Sequence, residues 1–162
     1  MRAVLTHDEV LRLFEYKDGR LYWKVTVNSK VPKGMLAGCL NHHLNRVYIR
    51  INNTAYLRSR IVFLIHYGWL PDQIDHIDGD RSNDAIENLR AATKSQNQHN
   101  KRLQRNNSSG VKNVRRRANK WAVELKVNGE RKYFGRYDDL DLAELVAAEA
   151  RNLYHGAFAN HG

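Results

Sequence analysis

At 162 residues the chain can hold one ordinary domain or two small ones, and its 42% hydrophobic content is enough for a core. With 27% charged residues and no apolar run near the ~18 positions of a spanning helix, the composition excludes a membrane-embedded protein. A single cysteine, Cys39, excludes an internal disulfide and a four-cysteine zinc site, and the net charge of +10 points to an anionic partner.

Thr6-His7-Asp8-Glu9 has the spacing of a capping box and predicts a helix with Val10, Leu11 and Phe14 on its apolar face, ending near Lys17-Asp18-Gly19. The N-terminus lacks the apolar stretch of a signal peptide, so a cytoplasmic location is expected. Residues 20–25 read as a strand and 28–33 as a loop. Arg46-Val47-Tyr48-Ile49-Arg50-Ile51 alternates as a half-buried strand does, and Asn52-Asn53 turns it back into Ala55-Tyr56-Leu57. Lys33, Arg46, Tyr48 and Arg50 could touch an anionic partner or serve only as scaffold. Residues 58–67 predict a helix that buries positions 61–65 and stops at Gly68.

Next come a strand at 73–77, a polar turn at 78–84 pinned by Ile86 and Leu89, and a second capping box, Thr93-Lys94-Ser95-Gln96. That box opens a short helix carrying Asn97. Asp80 and Asp84 read as solvated loop charges. Residues 105–110 have linker composition and place a domain boundary at 105/106. Strands follow at 111–117, 121–127 and 131–136, the last two joined by Asn128-Gly129, a strong hairpin signal. Trp121 reads as a core residue. Asp138-Asp139 caps a helix over 140–154 whose sheet-facing side is expected from Leu142, Leu145, Val146, Ala150 and Leu153.

Charge is segregated along this order. Positions 101–137 carry 12 Lys+Arg against 2 Glu, whereas positions 71–100 carry 3 basic residues against 6 acidic ones. A basic block beside an acidic pocket suits a nucleic-acid binder with a cation site. The acidic segment holds Asp75-His76-Ile77-Asp78-Gly79-Asp80, then Asn88, then Asn97. Asp75 offers a carboxylate ligand. His76 offers a base whose ordinary pKa near ~6.5 suits neutral pH. Asn97 offers an amide oxygen, and Asn88 can bond the turn and orient His76. Two protein oxygens, with water and phosphate completing the shell, suit Mg²⁺ first and Mn²⁺ second.

Asp75-His76-Ile77-Asp78-Gly79-Asp80, with Ile86-Glu87-Asn88-Leu89-Arg90 and Ser95-Gln96-Asn97, resembles the HNH endonucleases of phages and mobile introns. The resemblance implies a ββα-metal core in which His76 is the general base, Asp75 and Asn97 bind the metal, and Asn88 positions the histidine and loop. It departs at Ser59, where many relatives carry a histidine. Ser108-Ser109-Gly110-Val111-Lys112-Asn113-Val114, Lys120-Trp121 and Phe134-Gly135 resemble the AP2 DNA-binding domain, which implies duplex contacts from Arg115, Arg117, Glu124, Lys126, Arg131 and Tyr133.

The expectation is therefore an α+β protein in two parts. Residues 1–105 form an HNH nuclease domain, with an N-terminal hairpin and helix extension at 1–57 and a core at about 58–105. Residues 106–162 form a three-stranded antiparallel sheet plus helix. The expected activity is divalent-cation-dependent hydrolysis of double-stranded DNA, of phage homing or free-standing type, by a monomer or a DNA-induced dimer in the host cytoplasm. The alternative is a non-catalytic AP2-type regulator.

Overall fold

The computed structural model describes residues 5–100, 103, 107–127 and 129–161. Helix α1 (His7–Leu13) begins as its capping box requires: Thr6 accepts from the Glu9 amide while Glu9 accepts from the Thr6 amide. It ends earlier than its apolar pattern suggests. Phe14 leaves the helix with φ −128° and ψ 146° and opens strand β1 (Phe14–Lys17), which pairs with β2 (Arg20–Trp23). The cause is the Asp18-Gly19 turn, both residues at positive φ (48° and 75°), which folds the chain into a hairpin. Phe14 then packs on Trp23, with ring centroids 4.6 Å apart, instead of extending the helix face.

Strands β3 (Cys39–Asn41), β4 (Arg46–Ile51) and β5 (Thr54–Leu57) form an antiparallel sheet in that order. Asn52 and Asn53 both sit at positive φ, 47° and 61°, as a two-residue hairpin turn demands. Val47, Ile49 and Ile51 are buried on one face, while Arg46, Tyr48 and Arg50 point the other way. Helix α2 (Arg58–Tyr67) buries Ile61, Val62, Phe63 and Leu64 and stops at Gly68, φ 74°. Val10, Leu13, Phe14, Leu21 and Trp23 complete the same core. Strands β6 (Gln73–His76) and β7 (Leu89–Ala92) make an antiparallel pair, with a short 3₁₀ turn, Ile86–Asn88, between them.

Helix α3 (Lys94–His99) carries the second capping box, with Thr93 and Gln96 bonded reciprocally. Strands β8 (Val114–Arg117), β9 (Lys120–Val127) and β10 (Glu130–Tyr137) form a sheet of order β10-β9-β8, and α4 (Leu140–His155) lies on it. Asn128 of the expected hairpin turn lies outside the described residues, while Gly129 has φ 90°. Trp121 packs against the core as expected. The helix is rotated from expectation. Ala143, Ala147 and Ala150 are buried, whereas Leu142, Leu145 and Leu153 are exposed. Alanines at i, i+4 and i+7 share one face, and their small side chains let the helix sit close to the sheet.

The chain divides into compact units at 1–92 and 93–162, so the break falls between Ala92 and Thr93 and the expected 105/106 boundary lies inside the second unit. Residues 101–102 and 104–106 lie outside those described. Downstream, Asn107 and Ser109 are knit together: the Ser109 amide donates to Asn107 Oδ1 (3.0 Å) and Asn107 Nδ2 donates to Val111 O (3.1 Å). Helix α3 belongs with the second unit because His99 stacks on His155, centroids 3.7 Å apart, and Asn160 Nδ2 donates to Asn100 O at 3.0 Å.

Gly19 lies where a side chain cannot fit: a Cβ there would stand 2.9 Å from the Ala85 nitrogen, and its φ is 75°. Gly19→Ala therefore combines backbone strain with a clash against main chain, and is expected to destabilise the first unit by about 1–3 kcal/mol. Urea unfolding followed by tryptophan fluorescence measures this; an unchanged midpoint would show that the hairpin does not press on the loop.

Candidate active site

Strand β6 ends on the two residues the motif is built around. Asp75 and His76 are 3% and 6% exposed, so both polar side chains are taken out of water and require partners. Asp75 sits directly across from Arg90 in the β6–β7 register, and Arg90 grips its Oδ2 through Nε (2.8 Å) and Nη2 (2.7 Å). His76 Nε2 lies in hydrogen-bond contact with Oδ1 of Asp84 at 2.9 Å. Asp84 is itself only 2% exposed, and its Oδ2 accepts from Arg58 Nε at 2.8 Å. Arg58 Nη2 donates to Ser82 O, also at 2.8 Å. Asp84 is thus a buried partner of the imidazole, not a solvated loop charge. Sequence reading missed it because a lone loop aspartate looks solvated until its cation, 26 residues earlier, is brought to it.

Asn88 holds the turn. Its Oδ1 accepts from the Asp78 amide (3.0 Å), and its Nδ2 donates to Asp78 Oδ1 (3.0 Å) and Asn83 O (2.8 Å). Asp80 is likewise a structural acceptor, taking bonds from the Ser82 amide (2.9 Å) and from Asn45 Nδ2 (2.9 Å). Ser59 is buried in α2, and His66 bonds Val62 O through Nδ1 (2.8 Å) and packs edge-on against Tyr16. His66 is therefore engaged by its own helix and by Tyr16 at an exposed position. Asn97 lies on α3 in the second unit.

Among the described residues, no three His, Cys, Asp or Glu side chains are grouped to hold a metal ion. The donors the motif offers are a carboxylate (Asp75) and an amide oxygen (Asn97). Hard oxygen donors in that number fit a cation that keeps much of its water, and they fit zinc poorly.

The outer face of the β8–β10 sheet gathers charge. Register places Arg131 opposite Lys126 and Tyr133 opposite Glu124. Arg115 and Arg117 share that face from β8, and both pair with Glu124, Arg117 Nη2 at 3.2 Å from Oε1. The hydrogen bond from Arg115, with the charge of Arg117 behind it, holds the Glu124 carboxyl below its ordinary value. All six expected contact residues therefore share one face. Arg136 joins them, opposite Ala122, because the strand bulges between Tyr133 and Arg136. Strict alternation from Arg131 would send Arg136 inward. Gly135 in mid-strand, at φ 116°, was the signal for the bulge.

Two comparisons bear on this geometry. The chain is 34% identical over 88 residues to Protein 3.8 of Escherichia phage T7, a span covering 53% of this chain and 72% of that protein. The chain belongs to the family of that phage protein. The HNH endonuclease family matches residues 56–99, and this HNH domain contains Asp75, His76, Asp84, Asn88 and Asn97. No solved structure matches. The structure accordingly reads as a mixed α/β phage-type HNH protein, and among the described residues no helix is long and apolar enough to cross a membrane.

The turn of this HNH domain carries a pH dependence. Burial pushes the Asp78 carboxyl up, but bonds from Asn83, the Asp80 amide and Asn88 outweigh it and leave the group below its ordinary value. The Ser82 amide and hydroxyl hold Asp80 low in the same way. A depressed carboxyl stabilises the fold above its ordinary pKa, about 3.9, and that contribution is lost as pH falls through the lowered value. The protection factors of the Asp80 and Ser82 amides, measured against the intrinsic exchange rate at each pH, should therefore stay high at neutral pH and fall below about pH 4. Acid-insensitive protection in a still-folded unit would show that these bonds do not hold the turn.

Proposed function

We propose that the protein is a divalent-cation-dependent HNH endonuclease acting on double-stranded DNA, of homing or free-standing type. The observation that carries this reading is the buried His76, bonded through Nε2 to a carboxylate, at the end of the strand that also presents the buried Asp75, inside the matched HNH segment. With Nε2 donating its hydrogen, the neutral imidazole carries its lone pair on Nδ1, and this is the atom that would take a proton from water. The water oxygen then attacks phosphorus, and the phosphorus–oxygen bond in line with it breaks, the leaving oxygen departing with the electron pair. A divalent ion, Mg²⁺ first and Mn²⁺ second, would be held through the Asp75 carboxylate and would supply charge stabilisation at the phosphate, Asn97 being the further oxygen donor that the HNH motif offers. Arg90 holds the Oδ2 atom of Asp75. Asn88 keeps the turn after His76 closed.

The functional division in this reading assigns residues 1–105 to the nuclease and 106–162 to an AP2-like duplex grip, cutting through the second compact unit. Arg115, Arg117, Lys126, Arg131 and Tyr133 would meet the duplex, with Glu124 aligning the two arginines it pairs with. Guanidinium groups on such a face can grip phosphate or read guanine edges. A single copy of the site fits nicking by a monomer or double-strand cutting by a DNA-induced dimer.

Supercoiled plasmid should be nicked or linearised in Mg²⁺ and left intact in EDTA. His76→Ala and Asp75→Ala should each lower cleavage by about 10²-fold or more while leaving DNA affinity unchanged. Plasmid binding without cleavage in any cation would leave the non-catalytic regulator standing instead. Lys126→Ala and Arg131→Ala should each reduce the slope of log affinity against log salt by about 1, and an unchanged slope would remove the outer sheet face from the interface.

A further inference from the structure

We infer that Asp84 is the positioning residue of the site, setting the tautomer of His76, and that Arg58 sets which way residue 84 can bond. The inference rests on the reading of His76 as general base. It differs from what the HNH resemblance assigns, which gives the positioning role to Asn88.

The geometry leaves little freedom. Each oxygen of the Asp84 carboxylate has its own donor, His76 Nε2 at 2.9 Å on Oδ1 and Arg58 Nε at 2.8 Å on Oδ2. The three side chains are 6%, 10% and 2% exposed for His76, Arg58 and Asp84, so water does not stand in for any of these bonds. A guanidinium only donates, and an ionised carboxylate only accepts. Arg58 therefore needs an acceptor at position 84, and Asp84 in turn needs a donor on the imidazole. That donor is Nε2–H, and the lone pair is left on Nδ1. The Asn88 amide is meanwhile occupied by Asp78 and Asn83. Its part is the shape of the turn.

An amide at position 84 tests this, because it has the shape of the carboxylate but one donor end and one acceptor end. Arg58 must take the acceptor end. The NH₂ end then faces Nε2, which can bond it only as a lone pair, and the ring hydrogen moves to Nδ1. The base becomes a donor at the atom that should accept. Arg58→Gln in the same chain reverses the demand. A glutamine can donate to Ser82 O, as Arg58 does, and present its oxygen to the amide NH₂. The amide then turns and its oxygen again accepts from Nε2–H.

The experiment compares wild type, D84N and R58Q/D84N by ¹⁵N NMR of the His76 ring in mildly alkaline buffer, alongside Mg²⁺-dependent plasmid nicking. The wild type should show hydrogen on Nε2. D84N should show it on Nδ1, with kcat down about 10²–10⁴-fold and KM for DNA little changed. R58Q/D84N should return the hydrogen to Nε2 and recover about tenfold or more of the lost kcat, the size of coupling expected between bonded neighbours. A merely structural role predicts the opposite order, the double substitution being worse than the single one. That order, or an Nε2–H ring in D84N with kcat retained, overturns the inference. If D84N does not fold, the double variant decides it: Nε2–H supports the inference and Nδ1–H overturns it. If wild type does not cut DNA, the nuclease reading fails by itself and the tautomers alone decide the role of Asp84.

Discussion

One buried carboxylate shared between a cation and an imidazole fixes the centre of this protein. Taking a lone carboxylate out of water costs several kcal/mol, and removing one partner of a buried pair typically costs about 3–5 kcal/mol. Asp84 escapes that penalty because both of its oxygens receive charge-assisted or ring N–H donors at 2.8–2.9 Å. Arg58 is the first residue of α2, whose next turns bury Ile61, Val62, Phe63 and Leu64. The orientation of His76 is therefore referenced, through two short bonds, to the hydrophobic core itself. The β1–β2 turn adds a second reference, since Gly19 has room for nothing more than a hydrogen against Ala85, the residue following Asp84.

How much of this was legible in the sequence depended on whether the deciding partner was near in the chain. The capping boxes of Thr6 and Thr93 and the Asn52-Asn53 turn are local, and each formed as read, because the donors and acceptors involved lie within three residues of one another. Phe14 was misread because it fits a helical period from Val10, while the hairpin turn that captures it lies four residues further on. The face of α4 is not legible from its large apolar residues, Leu142, Leu145 and Leu153, which suggest a sheet-facing side that the fold does not use. Three alanines spaced for one stripe instead allow closer approach, and the leucines stay outside. Asp84 was unreadable for a deeper reason. A charge looks solvated until its counter-charge is found, and no short-range pattern connects positions 58 and 84.

The outer face of the C-terminal sheet obeys a related constraint with the sign reversed. Arg115, Arg117, Lys126, Arg131 and Arg136 share a surface narrow enough that their charges repel. Glu124 sits among them, paired with both Arg115 and Arg117, and its depressed carboxyl reflects that company. The bulge at Gly135 adds Arg136 to this surface where a regular strand would have turned it inward.

Placement of this kind matters more than the total charge. A +10 chain would be attracted to any polyanion through counterion release, and that attraction carries no sequence information. Discrimination between bases needs guanidinium planes held at fixed angles, because a bidentate bond to a base edge is lost when a flexible side chain must first be ordered. Glu124 restrains two of the five cations before any partner arrives, whereas Lys126 and Arg131 are exposed. In the duplex-gripping reading this separates the labour by geometry. On that reading the arginines tethered to Glu124 would be the ones able to read base edges, and the looser cations around them would supply affinity to phosphate that any sequence would satisfy.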